Sequence, residues 1–151
     1  MRPRQAGVSL LEMLLVVALI AAASLLAMAA FSGGMKGAQL RSAAKQVAAE
    51  LRYTRSRAIV TGQPQRFVID PQARTWQGPG DHHGEIPAAL QISFIGAREV
   101  QPSEREGAVL FFPDGAATGG RVQLARDGAK WNIDVAWLTG QVTVERSRQD
   151  D

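Results

Sequence analysis

A single carboxylate stands in an otherwise uncharged, apolar stretch near the N-terminus. Glu12 is the only charged residue between Val8 and Phe31. An acidic group in the middle of a membrane-spanning helix costs about 3 kcal/mol on insertion scales, and less near the interface. A cost of this size indicates that Glu12 has a binding partner or a specific task, so it is the first candidate for a functional residue.

Two adjacent histidines form the other group of chemically versatile side chains. His82 and His83 lie beside Asp81 and Glu85, and all four are residue types that bind metals. Neighbouring side chains of an extended segment point to opposite sides, so the two imidazoles are not expected to converge. The pattern favours a solvated loop, and we expect no metal and no other cofactor.

Composition argues against the common kinds of enzyme site. The sequence contains no cysteine, which removes disulfides, thiolate nucleophiles and zinc–thiolate centres. It shows no glycine-rich phosphate loop after a strand and no serine with a recognisable base. We therefore expect that the protein is not an enzyme.

The apolar stretch is predicted to be a membrane helix. At about 1.5 Å per residue, a helix from Val8 to Phe31 reaches about 36 Å, which is enough to span a bilayer. Arg2 and Arg4 precede it with no acidic residue, so the positive-inside rule keeps the N-terminus in the cytoplasm and the remainder outside. A conventional secretory signal, cleaved after Ala27–Ala30, has a shorter apolar region and normally no carboxylate in it.

The segment Gly7–Val17 resembles the processing site of type IV pilins and type II secretion pseudopilins. The resemblance implies that a membrane prepilin peptidase cuts after Gly7 and then methylates the new terminal amine of Val8. Glu12 would pair with the terminal amine of a neighbouring subunit, because opposite charges offset each other's desolvation. Val8 stands where the family usually has phenylalanine, which favours a minor subunit.

By this resemblance, residues 1–7 are a cleaved leader and residues 8–31 a transmembrane and filament-core helix. Loss of the leader removes Arg2 and Arg4, so 17 − 2 = 15 basic residues face 14 acidic ones. A net charge near +1 gives no reason to expect nucleic acid as a partner. Two other interpretations stay open: an uncleaved signal anchor, and a secreted enzyme with a cleaved signal.

Residues 32–62 are predicted to form a glycine joint and then an amphipathic helix. Three glycines in Ser32–Gly37 each cost about 1 kcal/mol in a helix interior, so we expect an interruption there. The helix beyond it should end near Thr61–Gly62. Its apolar stripe consists of Leu40, Ala44, Val47, Leu51 and Ala58. Its charged residues are expected to be solvated or to make filament contacts: Arg41, Lys45, Glu50, Arg52, Arg55 and Arg57.

Residues 63–151 are predicted to be β-rich, with short strands between turn signals. The predicted strands are Gln65–Ile69, Thr75–Gln77, Leu90–Ile95, Val109–Phe112, Arg121–Ala125, Trp131–Trp137 and Gln141–Glu145. Asp127–Gly128 is expected to turn a hairpin. Alternation in Trp131–Trp137 places its odd-numbered, apolar residues on one buried face. The glycine- and proline-rich residues 78–87 are expected to form a mobile loop.

Turn motifs of this region resemble the GspH/FimT group of minor pilin-like subunits. The matching segments are Phe111–Gly115, Thr118–Val122 and Leu138–Val144. The resemblance implies an α+β fold, in which a long N-terminal helix, transmembrane and then amphipathic, packs on an antiparallel β-sandwich-like domain.

The same resemblance implies a minor pseudopilin of the H type in a type II secretion system. Such a subunit stands at or near the tip of a pseudopilus and helps to initiate assembly and the export of folded proteins across the outer membrane. The expected partners are the prepilin peptidase, other minor and major pseudopilins and the inner-membrane assembly platform. The protein is expected to cross the inner membrane once, with its C-terminal domain in the periplasm.

The alternative is a minor type IV pilin of the FimT or FimU kind, which would serve pilus priming or DNA uptake. Its candidate DNA contacts are Arg146 and Arg148, since phosphate contacts dominate such binding. Acidic residues flank this segment and lower its local positive potential, so nucleic acid is disfavoured as a partner.

Overall fold

The computed structural model describes residues 9–96 and 106–147, and for residues 29–34 it describes the backbone alone. Helix α1 is Leu10–Thr61. Ser9 is its N-cap, because Ser9 Oγ accepts a hydrogen bond from the Leu11 amide at 3.3 Å and the Ser9 carbonyl accepts one from the Glu12 amide at 3.0 Å. Serine at this position satisfies an amide that the helix leaves without an internal partner.

The chain divides into two compact units, Met1–Lys36 and Gly37–Asp151. The interruption predicted at Ser32–Gly37 is wrong for the backbone, which stays helical through these residues. Intrinsic propensity is a weak prior, and the cooperative hydrogen bonding of a helix that continues on both sides offsets about 1 kcal/mol per glycine.

In the second unit, α1 buries the predicted apolar stripe. Its members are no more than 1% exposed: Leu40, Ala44, Val47, Leu51 and Ala58. Thr54, in the same stripe, is equally buried, and its hydroxyl donates to the Glu50 carbonyl at 2.8 Å. The helix ends at Thr61, and Gly62 follows with φ of 63°, the left-handed backbone common after a helix C-terminus. The predicted amphipathic helix and its end are confirmed.

Eight strands are described after α1, and they form two antiparallel sheets. Their bounds are β1 Gln65–Asp70, β2 Thr75–Gln77, β3 His83–Glu85, β4 Gln91–Gly96, β5 Gly107–Phe111, β6 Gly120–Arg126, β7 Ala129–Val135 and β8 Val142–Ser147. Sheet A has the order β3-β2-β1-β5 and sheet B the order β4-β6-β7-β8. The predicted fold class is confirmed.

The β6–β7 hairpin turns at Asp127 and Gly128, as predicted. Arg126 pairs with Ala129, and φ is 48° at Asp127 and 81° at Gly128. Positive φ at both central residues is what a two-residue type I′ turn requires. The turn signal in the sequence was therefore sufficient to place this hairpin.

The mobile loop predicted at residues 78–87 is wrong, because β3 lies within it. Trp76 of β2 pairs with Gly84 of β3, and the indole ring lies where a Cβ on Gly84 would be. The Gly78 amide donates to the His82 carbonyl at 2.7 Å and closes the turn. A three-residue strand is too short to show an alternating pattern, so only the pairing with β2 reveals it.

The strand predicted at Trp131–Trp137 is wrong at its C-terminal end. Ile133 and Val135 are buried as expected, whereas Trp137 lies beyond β7 and is 69% exposed. The chain leaves the sheet at Ala136, whose amide donates to the Gln141 carbonyl at 3.0 Å. This turn ends the alternation before it reaches the tryptophan.

The second unit has one hydrophobic core, to which α1 and both sheets contribute. Phe67 and Phe111 from sheet A, Leu124 and Ile133 from sheet B, and Leu51 from α1 are completely buried. Burying a side chain of this size contributes about 1.5–3 kcal/mol each. The shared core fixes the turns at the strand ends against the helix.

Candidate functional site

The first unit contains a helix whose surface is apolar. Leu10–Met28 is long and apolar enough to cross a membrane, and at 1.5 Å per residue it spans about 28 Å, close to the hydrocarbon thickness of a bilayer. Its large side chains are exposed, with Leu10 at 81% and Leu26 at 74%. A signal sequence passes the same test, so this helix alone does not identify the protein.

Glu12 lies in the first turn of α1. With Ser9 as the N-cap, Glu12 stands three residues later, which is the spacing of a capping box. A carboxylate in the first turn also interacts favourably with the positive end of the helix dipole. The side chain is exposed, so it is accessible to a group from another molecule.

The other predicted N-terminal site residues lie outside the described residues, and they are Arg2, Arg4, Gly7 and Val8. Arg148 lies outside them too. Arg146 is exposed on β8, opposite Trp131 of β7. Glu12 belongs to the first unit and Arg146 to the second.

The predicted turn motifs contact α1 in the second unit. Arg55 of α1 donates from Nε to the Gly115 carbonyl at 2.9 Å. A Cβ placed on Gly140 would overlap the Gly115 carbonyl oxygen and lie 2.9 Å from Arg55 Nε. Gly140 also has φ of 61°, which residues with a side chain adopt at a cost. We refer to Arg55, Gly115 and Gly140 as the turn junction.

Arg52, a second helix arginine, binds the start of β8. Its Nη2 donates to the Val142 carbonyl at 2.9 Å. Arg52 is nevertheless exposed, as expected for a solvated helix arginine. The expectation of a solvated side chain or a filament contact is wrong for Arg55, which is half-buried because a turn of the same unit brings the Gly115 carbonyl beside α1. The one signal for both arginines in the sequence is position, since they directly follow Leu51 and Thr54 of the buried stripe.

The segment after β5 links the two sheets through backbone hydrogen bonds. The Ala117 amide donates to the Trp137 carbonyl at 2.9 Å, and the Thr118 amide donates to the Leu110 carbonyl at the same distance. Asp114 Oδ1 accepts from a backbone amide two residues later at 3.0 Å. The Pro-Asp-Gly motif of this segment is therefore a structural joint between sheet A, the β7–β8 connection and α1.

The two adjacent histidines, His82 and His83, contact other groups of the second unit. The His82 ring stacks on Tyr53, with centroids 4.3 Å apart and planes 5° apart, and its Nδ1 lies 3.2 Å from a Glu50 carboxylate oxygen. His83 Nδ1 lies 2.8 Å from the Asp81 carbonyl oxygen. His82 is exposed, as expected for a solvated segment, and it also makes these two contacts with α1. Within residues 9–96 and 106–147, no three metal-binding side chains come together.

The polar face of sheet B carries cross-strand pairs. Arg121 Nε donates to Asp134 Oδ1 at 2.5 Å, and Gln123 Nε2 donates to Asn132 Oδ1 at 2.9 Å. The hydrogen bond and the negative charge of Asp134 raise the pKa of the Arg121 guanidinium above its ordinary value. Exposed pairs of this kind contribute little to stability.

The N-terminal part of α1 is a membrane-length apolar helix. The same helix continues into a small domain, where it shares a hydrophobic core with two antiparallel sheets. Together these features define a subunit of the type IV pilin-like class. A family model described as "Type II transport protein GspH" matches residues 43–140. A second model, "Prokaryotic N-terminal methylation motif", matches residues 2–28. The chain belongs to the GspH family, which confirms the resemblance noted in the turn motifs.

Similar proteins come from secretion and from pilus systems. The type II secretion system protein H of Xanthomonas campestris pv. campestris is 60% identical over 136 residues, which are 90% of this chain and 80% of that protein. The minor pseudopilin EpsH from the type 2 secretion system of Vibrio cholerae has a TM-score of 0.57 at 16% identity, covering 72% of this chain and 97% of that one. The type IV minor pilin FimU of Pseudomonas aeruginosa has a TM-score of 0.55 at 17% identity, covering 73% and 90%. The two solved structures show the fold, which both systems share.

Proposed function

We propose that the chain is a minor pseudopilin of a type II secretion system. It acts as a structural subunit at or near the pseudopilus tip, where it helps to initiate assembly and the export of folded proteins across the outer membrane. The observation that carries this proposal is the 60% identity, over 136 residues, to a type II secretion system protein H. The turn junction supports a structural role, since its residues pack turns of the domain against α1.

The proposal assigns the two units to different surroundings. The apolar segment Leu10–Met28 lies in the inner membrane before assembly and in the filament core afterwards, and residues 63–151 lie in the periplasm with the amphipathic part of α1. The membrane-length helix and the two leader arginines support this orientation. Its proposed partners are the prepilin peptidase, other pseudopilins and the inner-membrane assembly platform.

Processing is proposed at the Gly7–Val8 bond, with residues 1–7 as the leader and methylation at the amine of Val8. The match of the N-terminal methylation model to residues 2–28 supports it. Intact-mass spectrometry of protein extracted from membranes should find a chain that begins at Val8 and carries one methyl group. A mass that includes Met1, or a terminus after Ala30, contradicts the proposal.

Glu12 is proposed as the assembly contact, pairing with the terminal amine of a neighbouring subunit. Its exposure in the first turn of α1 supports this role. The variant Glu12→Gln should still be cleaved but should no longer copurify with the other minor pseudopilins after crosslinking. Ser24→Ala is the matched control, because the Ser24 hydroxyl already bonds the Ile20 carbonyl at 2.8 Å within its own helix. Equal copurification of both variants would contradict the assignment.

A gene deletion tests the function itself. Loss of the gene should stop export of the host's type II substrates, and a plasmid copy should restore it. Intact export together with a loss of pilus function would instead support a minor type IV pilin, as would DNA binding that Arg146→Ala and Arg148→Ala abolish in a gel-shift assay.

A further inference from the structure

His82 joins the β2–β3 hairpin to α1 through two contacts. Its ring stacks on Tyr53, with centroids 4.3 Å apart, and its Nδ1 lies 3.2 Å from Glu50 Oε2. Glu50 and Tyr53 are three residues apart, so they are neighbours on one side of the helix. The His82 side chain is 43% exposed and that of Glu50 20%. Protons from solvent therefore reach the imidazole while the pair stays partly screened from water.

The same residue closes the hairpin turn through its backbone. The Gly78 amide donates to the His82 carbonyl at 2.7 Å. Gly78 is buried and faces α1, since a Cβ placed on it would lie 3.6 Å from Thr54 Oγ1. Opening of the hairpin away from the helix would expose the Gly78 amide, so the exchange rate of that amide reports on the His82 contacts.

We propose that His82 is a pH-responsive latch that holds the β2–β3 hairpin against α1 more tightly when its imidazole is protonated. The neutral ring makes a stacking contact and one hydrogen bond. The protonated ring adds an ion pair with the Glu50 carboxylate and a cation–π interaction with the Tyr53 ring. Histidine is the side chain that ordinarily changes charge between pH 5 and 8.

The charged groups around His82 belong to two elements. On α1, the Glu50 carboxylate lies beside the imidazole, and Arg57 follows Tyr53 by four residues, which places it on the same side of the helix. On the hairpin, Asp81 and His83 are the neighbours of His82 along the chain, and His83 Nδ1 lies 2.8 Å from the Asp81 carbonyl oxygen.

The proposed latch responds to pH in one direction. It tightens as the pH falls from 7.5 to 5.5, because the imidazole gains a charge that Glu50 complements. Whether the hairpin contacts change in the cell rests on the proposed location of this unit outside the inner membrane, where the surrounding pH varies with the medium.

Hydrogen–deuterium exchange of the full chain in detergent micelles tests the latch. Rates at pH 5.5 and 7.5 are corrected for intrinsic chemical exchange, and the Gly78 amide is followed. Protection in the wild type should be about two- to fivefold greater at pH 5.5, the range expected for a partly exposed ion pair. His82→Gln retains a polar side chain but does not titrate, so it should remove this difference. His83→Gln, one residue away, is the matched control and should keep the difference.

Three outcomes would overturn the latch: equal protection at both pH values in the wild type, a pH difference that persists in His82→Gln, or its loss in His83→Gln. Glu50→Gln should also reduce the difference, because it removes the ion pair and leaves the stacking on Tyr53. The measurement uses purified protein and needs no secretion system. Failure of the latch therefore leaves the proposed function standing, and failure of the proposed function leaves the latch standing.

Discussion

Replacing Gly140 by alanine should destabilise the second unit through two effects. The backbone at Gly140 has φ of 61°, and holding alanine in this left-handed region costs about 1 kcal/mol. The new Cβ would also overlap the Gly115 carbonyl oxygen, which accepts the hydrogen bond from Arg55. Relief of that overlap has to move backbone in the turn junction, which adds about 2 kcal/mol by analogy with overpacked cores.

Gly62→Ala is the matched control for the backbone effect. Gly62 has almost the same φ, 63°, but a Cβ on it would meet no atom within 4 Å. We expect a loss of about 1 kcal/mol for Gly62→Ala and of about 3 kcal/mol for Gly140→Ala. In a domain of this size each kcal/mol lowers the melting temperature by about 4 °C, so the two variants should differ by about 8 °C.

Tryptophan fluorescence during thermal unfolding separates this unit from the membrane helix. All three tryptophans, Trp76, Trp131 and Trp137, lie in the second unit. The full chain in detergent can therefore be heated while only the unfolding of that unit is recorded. If Gly62→Ala and Gly140→Ala lose the same free energy of unfolding within error, the role of the Gly115 contact is refuted and only the backbone effect remains.

A double-mutant cycle tests the mechanism further. If alanine at Gly140 acts by displacing the Gly115 carbonyl from Arg55, then Arg55→Leu should remove part of the same stabilisation. The double variant Arg55→Leu/Gly140→Ala should then lose less than the sum of the single losses, because both changes act on one hydrogen bond. Additive losses would show that the two residues act independently.

Three further substitutions have expected outcomes. Gly84→Ala places a Cβ against the buried Trp76 ring, so it should lower stability by about 2 kcal/mol and shift tryptophan emission to the red; an unchanged spectrum would contradict the contact. Thr54→Val removes only a hydroxyl that bonds a carbonyl of its own helix, so urea unfolding should change by less than about 1 kcal/mol. Arg52→Gln shortens the reach to the Val142 carbonyl and should cost about 1 kcal/mol in the same assay, whereas no loss would mean that water replaces the contact equally well.

Structural features that depend on residues close together in the chain could be predicted from the sequence. The buried stripe from Leu40 to Ala58 follows from helical periodicity, and the helix end at Thr61 follows from the glycine after it. The hairpin at Asp127–Gly128 follows from the positive φ that this dipeptide tolerates. The GspH family likewise could be anticipated, since its motifs are short, contiguous segments of chain.

Other local signals led to wrong expectations because distant residues outweighed them. The glycines of Ser32–Gly37 oppose helix one residue at a time, yet the cooperative hydrogen bonds of α1 continue through them. Strand β3 has no pattern of its own and exists through pairing with β2. Trp137 continues an apolar alternation but is exposed, because the chain turns at Ala136.

The sequence by itself determined the membrane-length apolar helix, the α+β class and the family, because each depends on composition or on neighbours along the chain. The site residues at the start of that helix stay predictions. Only the tertiary structure decided the order of strands in the two sheets and the contacts of Arg52 and Arg55 with turn carbonyls. It also decided the contacts of His82 with Tyr53 and Glu50. These contacts join residues from about 30 to 90 positions apart, and closing such separations depends on the whole hydrophobic core rather than on any local preference.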